Sequence, residues 1–356
     1  MVADDWIKAA IDDLVSLKVE HRNYQLTKRR IASACLAMLP GELMVLVGPS
    51  RVGKTRCMRD ALNIPAQNIP EADERMRVVV VEAANDATNG QFSTKDFAMS
   101  CLRSIHHPIY GTCSDRDPWG QQRSDLLDRT PERRLWSAFE VALRLRHSEY
   151  LVIDEAHHVL YVPGGPPAAA RVLDSWKCLG NSTGVKIVLA GSYSLLSLIS
   201  LAPHLLGRHQ PVDFPRYRID DRRDVESWEQ ILRRFSELIR CADGNTLSSW
   251  NRLLSDGSQG RIGGLSRWLR SALALMLAEH RSFLDEEILR ATRLPVMHEA
   301  AILNEIVQGE RDLARHSDQH KHVRISEHSV ENSVKSRNKS SPFRSKSRRN
   351  PVDGRA

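Results

Sequence analysis

The stretch GELMVLVGPSRVGKTRCMRD, Gly41 to Asp60, decides the fold. Leu43-Met44-Val45-Leu46-Val47 is a short apolar run held between Pro40-Gly41 and Gly48-Pro49. A run of that kind, bounded by turn residues, reads as a strand buried on both faces of a parallel sheet. Gly48-Pro49-Ser50-Arg51-Val52-Gly53-Lys54-Thr55 follows and matches G-x-x-x-x-G-K-[ST] in full, and Arg56 continues into a helix. The two glycines let the backbone wrap a phosphate chain without a Cβ in the way. The loop N–H groups and the helix N-terminus then face the anion. Lys54 would reach the β- and γ-phosphates of a nucleotide, and Thr55 would hold Mg2+. Gly48 to Arg56 are therefore the candidate ATP-binding residues.

A second stretch adds chemistry to binding. Tyr150-Leu151-Val152-Ile153-Asp154-Glu155 is an apolar strand that ends on two adjacent carboxylates. Phosphoryl transfer depends on positioning and charge stabilisation, so it calls for a metal-binding carboxylate and a group that orients water. Asp154 fits the first role and Glu155 the second. Val185 to Ala190 reads as another strand, ending at Gly191-Ser192. Ser192 is a candidate sensor between the carboxylates and the γ-phosphate and equally a cap for the helix that begins near Leu195, and one residue can do both.

The remaining pattern is read outward from these strands. Residues 4–39 are helical by periodicity, with Trp6, Ile7, Ala10, Ile11, Leu14 and Leu17 on one face. Arg77 to Glu82 is a buried strand. A helix runs from Phe92 to Ile105, with Ser93 or Thr94 as its cap. Thr130-Pro131-Glu132 opens a helix to His147, with Thr at the N-cap and Pro at N1. Pro163 to Pro167 reads as a flexible loop, Arg171 to Leu179 as a helix, and Val212 to Tyr217 as a further strand-like run. From Asp224 onward the pattern is all-helical, as in a lid that follows an α/β domain. Arg267 is the basic residue best placed to reach nucleotide from that lid. Between His106 and Arg129 the composition is that of a loop, with Arg116, Arg123 and Arg129 around Trp119. These arginines either grip a phosphate backbone or pair with Asp115, Asp117, Asp125 and Asp128 in solvent. Arg208 is either a surface residue or a finger that reaches a neighbouring subunit's γ-phosphate.

The expected domains are a helical lead-in (1–40), an α/β nucleotide-binding core (41–222), a helical lid with C-terminal helices (223–315), and a disordered basic tail (316–356). The chain has 356 residues and a formal charge of +7. Ser317 to Ala356 carry ten Lys/Arg against four Asp/Glu, so most of the charge belongs to the tail. That segment has too little apolar content to offset ordering. The six cysteines show no metal-ligand spacing and read as reduced thiols. The pairs His106-His107 and His157-His158 read as loop or surface packing. The N-terminus reads as no secretory leader, and the longest apolar run, Ala272 to Ala278, is too short to span a bilayer. A soluble protein with no membrane partner is expected.

In this order, the elements resemble the AAA+ ATPases, and over roughly residues 5–310 the chain looks like the TniB/TnsC family of DNA transposition regulators. The stretches that carry the resemblance are GPSRVGKT, FSTKDFAMSCLRSI, LVIDEAHHVL and LDSWKCLGNSTGVKIVLAGS, with GRIGGLSRWLRSA as a similar lid helix. The resemblance implies Lys54 and Thr55 as Walker A and Asp154 and Glu155 as Walker B. It further implies Ser192 as sensor 1, Arg208 as the arginine finger and Arg267 as sensor 2. It implies an Mg2+-dependent ATPase that assembles as a homo-oligomeric ring or helical filament on duplex DNA. Such a filament links a TniQ/TnsD-like target selector to a DDE transposase. DNA contacts would fall on Arg116, Arg123 and Arg129, and the setting would be the bacterial cytoplasm and nucleoid. A helicase loader or origin-recognition ATPase, and a signalling NTPase, are the alternatives.

Overall fold

The computed structural model describes residues 2–65, 69–70, 74–111, 129–201 and 209–315. Arg116, Arg123, Arg208 and the tail from residue 316 lie outside them. Residues 1–310 form one compact unit. In the second unit, 311–356, only 311–315 are described, and they are helical.

A five-stranded parallel sheet organises the first unit. Its strands are β1 (Leu43–Val47), β2 (Val78–Glu82), β3 (Tyr150–Asp154), β4 (Lys186–Gly191) and β5 (His209–Asp213). The spatial order is β2-β3-β4-β1-β5. Helices cover both faces, which is why every residue of β1 and β3 is buried and why these strands are continuous apolar runs. β1 lies between β4 and β5, where the order of connections reverses. The crevice at the carboxyl end of such a switch point is where α/β sheets bind ligands.

Two helices precede β1: α1 (Val2–Ser16) and α2 (Arg22–Ala37). They serve different cores. Tyr24, Ile31, Ala34 and Cys35 of α2 pack with Met44, Leu46, Val188 and Phe214 on the sheet. Ile7, Ala10 and Leu14 of α1 pack instead with Leu265, Trp268 and Leu269 of the later helices. Those helices are α8 (Arg222–Ser236), α9 (Asn251–Ser258), α10 (Ile262–Ala278) and α11 (Glu286–Ala291), with further helix over residues 296–310. The others are α3 (Lys54–Ala61), α4 (Thr94–Ser104), α5 (Glu132–Leu145), α6 (Gly165–Thr183) and α7 (Ser194–Ser200). Among the described residues no helix is long and apolar enough to cross a membrane.

Three local expectations need correction. The last strand is His209–Asp213 rather than Val212 to Tyr217. Phe214 N–H still donates to Val47 O, but Pro215 has no N–H to continue the ladder, and Tyr217 N–H turns away to Gly260 O. Helix α6 begins inside Pro163–Pro167 instead of after it. Gly164 (φ 97°) turns the chain, and Pro166 and Pro167 fill first-turn positions whose N–H groups need no helical partner. At α5 the cap residue is Pro131, with no side-chain cap, while Thr130 is buried. Ser93 does cap α4, accepting from Asp96 N–H at 3.2 Å.

Candidate functional site

The P-loop joins β1 to α3 by close packing. A Cβ on Gly48 would stand 2.5 Å from Phe214 O, so only glycine lets the loop leave the sheet here. Gly53 (φ 107°) precedes α3 without a side-chain cap, which leaves the first helical N–H groups available to an anion. Lys54 is buried and folded back over its own loop. Its Nζ donates to Gly48 O at 3.0 Å and Pro49 O at 2.9 Å. Burial pulls its ammonium below the usual lysine range, while the nearby charges of Glu155 and Asp154 act the other way. Such an amine has only backbone carbonyls to satisfy it, and phosphate oxygens would be stronger partners.

The carboxylates stand opposite. Asp154 ends β3 and is buried. Thr55 Oγ1 donates to Asp154 Oδ2 at 2.6 Å, so two hard oxygens from different segments meet at one point. The other oxygen, Oδ1, accepts from Glu155 N–H at 2.9 Å. Glu155 itself is left-handed (φ 50°) and half-buried. Burial raises its carboxyl above the usual range, and the Lys54 charge opposes that rise. Gly48, Thr55 and Asp154 thus fit a phosphate chain with its Mg2+: the cradle has no room for a Cβ, and the donor set is all oxygen.

Lys54, Thr55 and Glu155 open on a cavity of about 600 Å³. Its far wall is built by segments distant in the chain. Leu14, Leu17 and Val19 give an apolar side, and His21 and Lys18 the polar edge. Arg56 holds this segment by donating to Leu17 O (2.7 Å) and Ser16 O (3.1 Å). His21 Nδ1 bonds Tyr217 Oη at 2.8 Å, and burial pushes its imidazole down to about 3. The third wall is α10. Gly263 N–H donates to Arg51 O at 2.9 Å, and a Cβ there would stand 2.4 Å from that oxygen. Buried Arg261 donates to Ser50 O at 3.3 Å, and Ser266 Oγ to Leu14 O at 3.2 Å.

Helical phase decides which arginine of α10 the cavity receives. Gly263, Ser266 and Arg270 share the cavity face. Arg267, one position beyond Ser266, is exposed on another side. The cavity-facing arginine of this helix is Arg270, whose Nε is buried without a partner. Arg261, Gly263 and Arg270 escaped the sequence pattern, although the spacing 263, 266, 270 would have set the phase had Gly263 been taken as the point of contact. Ser192 is buried at the end of β4, where its Oγ pairs with Ser194 Oγ at 2.7 Å and its carbonyl accepts from Leu195 N–H. It therefore closes the turn into α7. Arg129 is exposed.

The chain is similar in fold to several solved structures. One is the Aeropyrum pernix ORC2 protein in its ADPNP–ADP complexes, at 15% identity and a TM-score of 0.47, covering 78% of this chain and 68% of that one. A Walker-type ATPase of Pyrococcus abyssi gives 17% identity and 0.46, over 82% and 75%. Cdc6p from Pyrobaculum aerophilum gives 16% and 0.47, over 77% and 67%. No curated protein matches the chain. Residues 40–199, which hold the P-loop, both carboxylates and Ser192, match the family model described as an AAA domain. Over that span the chain carries an AAA-type P-loop domain.

Proposed function

We propose that the protein is an Mg2+-dependent ATPase that assembles as a ring or helical filament on duplex DNA and regulates transposition. It would link a TniQ/TnsD-like target selector to a DDE transposase. The observation that carries the enzymatic part is the meeting of Lys54, Thr55 and Glu155 on one cavity, with buried Asp154 bonded to Thr55 behind them. Thr55 and Asp154 would hold Mg2+, which would supply positive charge to offset the charge that develops on the phosphates. Lys54 would exchange its loop carbonyls for the β- and γ-phosphates. Glu155 would accept a hydrogen bond from the attacking water and align it. Arg270 would add a positive charge from the lid side, and the apolar wall at Leu14, Leu17 and Val19 suits the face of a base.

The DNA-directed part rests on the resemblance of GPSRVGKT, FSTKDFAMSCLRSI, LVIDEAHHVL and LDSWKCLGNSTGVKIVLAGS to the transposition regulators. Arg208 would serve as the finger in trans, with Arg116, Arg123 and Arg129 on the DNA. The test images the full chain by negative stain on mixed-sequence duplex with an ATP analogue, with ADP or with no nucleotide, beside a hydrolysis assay. Rings or filaments that depend on nucleotide support the proposal. Lys54→Ala should abolish them and Glu155→Gln should stabilise them. Hydrolysis by a monomer with no DNA association in any nucleotide state would refute the DNA-directed part and favour a signalling NTPase.

A further inference from the structure

The chain does not leave the site after Glu155. It turns at once, through the left-handed Glu155, into a 3-10 helix over Ala156–Tyr161. That turn brings His157 back beside the carboxylate: Nδ1 lies 3.2 Å from Glu155 Oε2. The imidazole is wedged against the end of β4, where a Cβ on Gly191 would stand 3.1 Å from the same Nδ1. His157 Nδ1 is buried and makes no hydrogen bond. Burial, helped by the His158 and Lys54 charges, pushes the imidazole down to about 4, so it is neutral near pH 7. A buried polar nitrogen without a partner is destabilising. At 3.2 Å, Glu155 Oε2 is already within hydrogen-bond reach of Nδ1.

We infer that His157 is the positioning residue of Glu155, donating from Nδ1–H to one carboxylate oxygen so that the other faces the cavity and aligns the attacking water. This rests on the ATPase reading above. Two features follow from the role. Gly191 leaves the ring room: a Cβ there would press on Nδ1 at 3.1 Å and push it by a few tenths of an ångström. The imidazole also competes with Lys54, whose ammonium is the main positive charge acting on Glu155 and would otherwise draw the carboxylate across the cavity. His157 touches neither nucleotide nor water in this scheme and acts only through Glu155.

The test measures steady-state hydrolysis of Mg-ATP by the full chain, with Glu155→Gln as the baseline. His157→Ala should lower kcat by about 10- to 100-fold while KM stays within about twofold, as for loss of an interaction made only in the transition state. His157→Asn, whose amide N–H reaches the Nδ1 position, should restore most of the rate. His157→Gln, which places its amide at the Nε2 position, should not. Adding His157→Ala to Glu155→Gln should cause no further loss. Gly191→Ala keeps the imidazole but crowds it, and should lower kcat in the same way if His157→Ala does not fold. A wild-type rate in His157→Ala, equal defects in the Asn and Gln variants, or a KM that rises as kcat falls would overturn the inference while leaving the ATPase reading intact. A wild-type chain that hydrolyses no faster than Glu155→Gln would overturn both.

Discussion

The cavity has two sides of different origin. The phosphate side is made by β1, β3 and the loop between β1 and α3, and each of its groups sits within a few residues of a strand end. The opposite side is made by residues 14–21 and α10, more than 200 positions apart in the chain, joined by Ser266 Oγ to Leu14 O. On the first side, short segments set the chemistry: Lys54 starts α3 just after the turn from β1, and Asp154 ends β3. On the second, the packing of α1 against α10 sets both the helical phase and the identity of the facing residues. Function on the phosphate side should therefore fail through chemistry, and on the other side through fit.

The largest expected effect belongs to the phosphate side. Lys54→Ala should reduce hydrolysis by at least about 100-fold and weaken nucleotide binding, with little change in thermal stability, because Lys54 satisfies only loop carbonyls. A variant that still hydrolysed ATP would dissolve the contrast by moving the chemistry elsewhere. Gly260→Ala probes the other side. Gly260 is left-handed (φ 67°), and a Cβ would stand 1.9 Å from Tyr217 O. Loss of about 2–4 kcal/mol in urea unfolding is expected, with the P-loop chemistry recoverable at saturating nucleotide.

The phase of α10 gives a sharper comparison. Arg270→Ala should weaken nucleotide binding by about 10-fold, the loss of one charged contact, whereas Arg267→Ala should stay within about twofold. Equal effects, read by isothermal titration, would show that the helix turns when nucleotide binds. The smallest effect is a pH dependence at His21. Its folded pKa of about 3 lies below the unfolded value near 6.5, so the unfolded chain takes up the proton first. The stability it contributes is complete above about pH 6.5 and is lost as pH falls toward 3. His21→Phe should flatten the decline in urea midpoint between pH 7 and 5, by on the order of 1–2 kcal/mol. Parallel curves for the two proteins would place the acid sensitivity in other groups.

Much of the core was legible because its signals are short and periodic. Leu43 to Val47 matched its strand to the residue, and Tyr150 to Glu155 ran one residue past β3, since burial on both faces leaves a continuous apolar run. The run at Val212 misled because Phe214 and Tyr217 are apolar for a different reason. Phe214 closes the sheet core, while Tyr217 packs in the helical core and bonds His21. Pro163 to Pro167 misled because proline and glycine mark helix starts as well as loops. His157, read as packing, stands beside Glu155, and nothing in its spacing foretold that the turn after β3 would fold it back.

The sequence by itself determined the P-loop, the two carboxylates and the apolar strands that carry them, because each is a pattern within a few residues. Only the tertiary structure decided that Arg270 rather than Arg267 faces the cavity, that α1 belongs with the later helices, and that Gly263 touches Arg51 O. Those choices depend on which surfaces bury each other across long separations, and hydrophobic burial has no direction along the chain until the partner face is in place.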